Sequence, residues 1–167
     1  MTSAGRASTG VALLTGLGML AGCGGSAAGD GSGRSTAPTV TAQAGGDPIK
    51  VQPTQYCLDG KGQRYQASAP ILEVTPDTTV RLTVSDAVAE AGWSVQVFDE
   101  KLKEMLGDVQ VPKGAAEYDQ ITTSDVVPPT FYLVVVEDSD PEACSGLSGA
   151  WPVGFIRTDG VVASTSP

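Results

Sequence analysis

From Pro48 onward, apolar and polar residues alternate in short runs divided by turn residues, the period expected of half-buried strands. Ile49-Lys50-Val51 alternates. Ile71-Leu72-Glu73-Val74 stops at the turn Thr75-Pro76-Asp77-Thr78. Thr79 to Val84 puts Val80, Leu82 and Val84 on one face, and Trp93 to Phe98 points Trp93, Val95 and Val97 inward. Thr130-Phe131-Tyr132-Leu133-Val134-Val135-Val136 is almost continuously apolar, as in a central strand. Ala150 to Arg157 reads as the last strand, and Pro152 suggests that it is an edge or carries a bulge. Weaker strands are expected at Tyr65 to Ala67, Asp108 to Val111 and Glu117 to Ile121.

Helical signal is sparse. Asp86-Ala87-Val88-Ala89-Glu90 suits one helical turn stopped by Gly92, and the connector Asp99 to Leu106 fits either a helical turn or a hairpin. Short strands at regular spacing predict an all-β domain over residues 48–159. The expected architecture is an antiparallel, immunoglobulin-like β-sandwich of about seven to eight strands. Trp93 and Trp151 are expected between the sheets, each with a partner for its indole N–H.

The N-terminal segment follows a different logic. Arg6 precedes an apolar run from Val11 to Leu20 that is too short to span a bilayer. Leu20-Ala21-Gly22-Cys23 then has the form of a bacterial lipobox. This predicts a signal peptide over 1–22, removed on processing, and a lipidated Cys23. Two acyl chains hold a protein stably at a membrane where one does not. Residues 23–47 are rich in Gly, Ala, Ser and Thr, and are expected to form a flexible linker reaching roughly 25–30 Å. Residues 160–167 are expected to form a disordered tail. The location implied is the outer face of the cytoplasmic membrane.

Charge and composition remove several function classes. The net charge is −9, with 10 basic and 19 acidic residues, so phosphate backbones are repelled and nucleic acid is not an expected partner. No His is present, which excludes Ser-His-Asp and Cys-His catalysis and a blue-copper site. Of three cysteines, Cys23 is assigned to lipid. That leaves Cys57 and Cys144, 87 positions apart, as the only pair for a disulfide in an oxidising compartment. Closing so long a loop stabilises by about 4–5 kcal/mol in the chain-entropy model.

Candidate chemistry is thin. Glu137-Asp138-Ser139-Asp140-Pro141-Glu142 is the densest acidic run, so Asp138, Asp140 and Glu142 are weak candidates for calcium, set against a plain solvated loop. Cys144-Ser145-Gly146-Leu147-Ser148-Gly149 lacks the spacing and the base of a nucleophile elbow. Asp99, Glu100 and Glu104 resemble a glycosidase carboxylate pair only in residue type, and lie in a polar connector. No catalytic residue and no cofactor is assigned, and an enzyme is not expected.

Three stretches carry a resemblance. Gln55-Tyr56-Cys57, Ala87-Val88-Ala89 leading to Trp93, and the closing Ala150-Trp151-Pro152-Val153-Gly154-Phe155-Ile156 make the chain resemble small secreted or membrane-tethered actinobacterial proteins. Their shared domain has no assigned function. The resemblance implies an extracytoplasmic compartment and an actinobacterial source, and carries over no active residues. The resulting expectation is a lipid-anchored, non-catalytic binding or envelope-interaction module whose partners are the membrane, through its anchor, and an envelope protein. The alternative is a small-molecule or cation-binding protein associated with a membrane transporter, and an envelope enzyme comes third. An interaction module should expose an apolar patch, a ligand binder should converge polar groups on a pocket, and an enzyme should hold perturbed carboxylates in a cleft.

Overall fold

The computed structural model describes residues 36–138 and 142–158. Eleven strands and one short helix follow in chain order: β1 (Val40–Ala44), β2 (Ile49–Val51), β3 (Gln55–Leu58), β4 (Lys61–Arg64), β5 (Ile71–Val74), β6 (Thr79–Thr83), α1 (Asp86–Ala91), β7 (Trp93–Asp99), β8 (Met105–Val111), β9 (Glu117–Thr122), β10 (Thr130–Glu137) and β11 (Ala150–Arg157). A 3₁₀ turn, Ala143–Gly146, precedes β11. The smaller sheet has the order β2-β1-β6-β9. The larger runs β4-β3-β11-β10-β7-β8, with β5 also paired to β11. The architecture is an all-β sandwich, antiparallel except for the β5–β11 pair.

One core lies between the sheets. Val40, Ala42, Val80, Leu82 and Ile121 face it from the smaller sheet, and Trp93, Val95, Phe131, Leu133, Val135, Trp151, Val153 and Phe155 from the larger. Phe131 and Phe155, partners in the β10–β11 register, stack with ring centroids 5.2 Å apart. Burying a side chain of the Leu or Phe kind contributes about 1.5–3 kcal/mol, so these central positions dominate stability. Both indoles are satisfied as the sequence demanded: Trp93 Nε1 donates to the Ala115 carbonyl at 2.8 Å and Trp151 Nε1 to the Pro38 carbonyl at 2.9 Å.

The domain begins earlier than its hydrophobic pattern suggested. Residues 40–44, placed in the linker by composition, form β1 in the middle of the smaller sheet. Alternation is present there, but its inward residues include Ala42 and Ala44, small enough for Val-Thr-Ala-Gln-Ala to read as spacer. Residues 1–35 and 159–167 lie outside the described residues, and with them the signal, Cys23 and the tail.

Several strands also differ in place or number. Eleven form among the described residues, because β1 and the β3–β4 hairpin add strands that the alternation does not mark. The strand expected at Tyr65 to Ala67 lies instead at Lys61–Arg64, hairpinned to β3. The Asp99–Leu106 connector is a hairpin turn. Its Asp99 carboxylate accepts the Lys103 and Glu104 N–H groups at 2.7 and 3.1 Å, and these bonds hold its pKa below the usual value.

Pro152 lies in an interior strand, not at an edge, and the reason is local. One side of β11 pairs fully with β10. The other side meets β3 only at Ala150 and β5 from Gly154 onward. Gly154 N donates to Pro70 O on that side, and the nitrogen of Pro152, two residues earlier, faces the same way. The missing N–H therefore falls in the gap between β3 and β5.

Candidate docking face on the larger sheet

The two sheets present different faces to solvent. The outer face of the smaller sheet is polar: Thr41, Gln43, Lys50, Arg81, Glu117 and Asp119 occupy it, and Arg81 pairs with Glu117 at 3.3 Å. That is the usual solvated side of an antiparallel sheet. The larger sheet breaks this rule.

Its outward residues fall into rows fixed by strand register. One row crosses five strands as Ile71, Gly154, Tyr132, Phe98 and Met105. The next runs Pro152, Val134, Gln96 and Asp108, and a third Arg64, Gln55, Ala150, Val136, Ser94 and Gln110. Ile71 is 47% exposed and Met105 55%. Val134 is buried yet belongs to no part of the inter-sheet core, because the groove walls close over it from outside.

Over the centre of these rows lies a groove of about 460 Å³, lined chiefly by Phe98, Leu102, Val134, Val136 and Pro152, with Gln55 and Gln96 as polar rim. Leu102 reaches it from the β7–β8 turn, where it adopts a left-handed φ of 54°. Gly154 keeps part of the face low. A Cβ there would meet the end of Ile71 and come within 2.8 Å of Tyr132 Cε1, so both side chains lie across β11 only because that position is glycine.

The disulfide forms as expected, joining Cys57 on β3 to Cys144 in the 3₁₀ turn, Cα atoms 5.7 Å apart. It draws the Glu142–Leu147 segment against β4. A Cβ on Gly62 would come within 2.7 Å of the Cys144 carbonyl, so glycine is needed for that approach.

Beside this staple, Glu137 is 9% exposed and points inward at the end of β10. Burial raises its carboxyl pKa, the Asp138 charge adds to this, and a hydrogen bond from the Gly149 backbone opposes it. Tyr56 is raised by burial first and by Glu137 next. Its ring lies 5.8 Å from that of Trp151. Glu137 is on the opposite face of β10 from Val134 and Val136, and does not line the groove.

The other candidates are not brought together. Asp138 and Glu142 are exposed and flank 139–141, which includes Asp140 and lies outside the described residues. Among the described residues no three of His, Cys, Asp or Glu gather at metal-binding distance. The Asp99 carboxylate holds its own turn, and Glu100 faces Lys101 at 3.6 Å. Among the described residues no helix is long and apolar enough to cross a membrane.

Sequence reasoning missed the groove, although its signal was present. An antiparallel strand with one wet face alternates, whereas β10 is apolar on both. Tyr132, Val134 and Val136 fit a central strand, and they also mark a second apolar surface.

One family model, described as a protein of unknown function (DUF2771), matches residues 33–142. That span starts before β1 and ends before β11. No curated protein and no solved structure is significantly similar to the chain.

Proposed function

The chain belongs to the DUF2771 family, and on that premise we propose that it is a non-catalytic binding module whose working surface is the outer face of the larger sheet. One observation carries the reading: a five-strand apolar row and an adjoining apolar groove stand where an isolated antiparallel sheet would be polar. The side chains converging there are aliphatic and aromatic, with amides at the rim. That composition suits an apolar protein surface.

The lipobox pattern at Leu20 to Cys23 supports a lipid anchor at Cys23, which would hold the module on the outer face of the cytoplasmic membrane within reach of envelope proteins. The volume of the groove, about 460 Å³, supports a second reading, a small apolar molecule bound at the same place.

Photo-crosslinking in intact cells tests the proposal. A photoreactive residue at Val134 should give protein adducts, and one at Lys50 on the smaller sheet should not. Adducts from Lys50 alone, or from neither position, would reject it. A small lipophilic adduct at Val134 would favour the second reading.

A further inference from the structure

We propose that β8 is a strand-addition site, where an extended segment of a partner protein, apolar at alternate positions and basic between them, pairs along the open edge of the larger sheet. The site adjoins the docking face but rests on different observations. Among the described residues β8 is the last strand of its sheet, seven residues long, and nothing pairs with its second side. Asp138 N donates to Gly92 O, so the even-numbered residues of β7 turn their backbone groups to β10 and the odd-numbered ones turn theirs to β8. Register then assigns Gly107, Val109 and Val111 to β7. The N–H and C=O groups of Asp108 and Gln110 face the open edge, and both residues are exposed.

The other edges are blunted in ways that discourage such pairing. β2 and β5 are three and four residues long, β4 is Lys-Gly-Gln-Arg, and β9 carries Glu117 and Asp119 and shifts register against β6. β8 has a single charged residue, Asp108, and its one irregularity precedes Gly107. The inner side of the same edge is unfinished. Val97 and Val109 point into the sandwich from β7 and β8, and Tyr118 from β9, yet all three stay half-buried. Gly107 faces inward as the partner of Val97. Its φ is not left-handed, and a Cβ there would meet Val97 Cγ2 at 3.9 Å and nothing closer. Neither the backbone nor packing within the chain calls for glycine, which weakens a strand interior. The hollow it leaves beside Val97 and Val109 seats an apolar side chain of an added strand.

Charge selects the occupant. Arg81 pairs with Glu117 and Asp119 on β9. The Asp108 carboxylate accepts a hydrogen bond from the Gln110 amide at 2.9 Å, and among the described residues no base pairs with it. A Lys or Arg opposite Asp108 on an added strand forms an attractive cross-strand pair, whereas two β8 strands paired about their midpoint set Asp108 against Asp108. A second copy is therefore the poorer occupant. So is the chain's own C-terminal segment, since residues 159–167 hold one acid and no base. Backbone bonds along the edge give affinity, and the side chains in the hollow and opposite Asp108 give specificity.

The test titrates the purified full-length chain with the peptide acetyl-Thr-Val-Lys-Val-Thr-Val-amide and follows backbone amide exchange by NMR. Millimolar peptide should slow exchange at Asp108 and Gln110 at least fivefold and leave Lys61 to Arg64 on β4 unchanged. Methylating the backbone nitrogens of the peptide's lysine and of its second threonine removes the donors that face β8, and should abolish the slowing. Replacing that lysine by glutamate should weaken binding at least fivefold. Gly107→Val should keep or raise the thermal midpoint, because valine suits a strand, and should weaken binding at least fivefold by filling the hollow. The inference is overturned if the peptide does not slow Asp108 and Gln110, or if the methylated peptide, the glutamate peptide or the Gly107→Val chain behaves like its parent. Slowing at these two amides that grows with protein concentration in the absence of peptide would also overturn it, because a second copy then occupies the edge.

Discussion

Tyr132 lies across Gly154 on the outer face of the larger sheet, and the two are direct partners in the β10–β11 register. A methyl group at position 154 must displace the Tyr132 ring and the end of Ile71. Gly154→Ala is therefore expected to cost about 1–3 kcal/mol, the usual range for overpacking. Urea unfolding measures it. Adding Tyr132→Ser should recover much of the loss, because residues in contact are not additive. A fully additive double variant would show that the contact does not set the cost.

Joining Cys57 to Cys144 closes a long loop and holds the segment before β11 on the sheet. Replacing both with Ser should destabilise the domain by about 2–5 kcal/mol. Thermal unfolding of the oxidised protein against the double variant reads this directly, and equal midpoints would count against a structural role.

Glu137 gives the domain a distinct pH dependence. Its folded-state pKa is raised above the ordinary glutamate value, with burial the main cause. Below the unfolded value the group is protonated in both states and contributes no penalty. As pH rises past about 4.5 the unfolded chain releases its proton first, so stability falls until the folded group has also ionised. Glu137→Gln should flatten that slope and raise stability at neutral pH. Urea unfolding of both proteins from pH 4 to pH 8 tests it; parallel curves would contradict it.

Lipidation predicts a fractionation result. With Cys23 acylated, the chain should sediment with membranes and incorporate labelled palmitate, and Cys23→Ser should abolish the label and release the protein. Unlabelled wild-type protein would remove the anchor from the account.

Most of the sandwich was legible because alternation reports directly on which side of a strand is buried. Val80 and Leu82, Trp93 and Val95, and the inward half of β10 all face the core where the pattern put them. What escaped notice was written in weaker terms. β1 hid behind small alanines, and β4, with the sequence Lys-Gly-Gln-Arg, has no apolar residue to read. Pro152 reads as an edge or a bulge because sequence cannot show that two strands share one side of β11 and leave a gap between them. The docking face depends on which residues of different strands share a row. Phe98, Tyr132 and Ile71 become neighbours only once register is known.

The central claim concerns one surface, and side-chain footprinting reaches it most directly. Carbene labelling of the protein in intact cells, compared with the purified, dilute chain, should protect Ile71, Phe98, Leu102 and Met105 while leaving Lys50 and Thr41 on the other sheet unchanged. Equal labelling of that face in both settings would contradict the account.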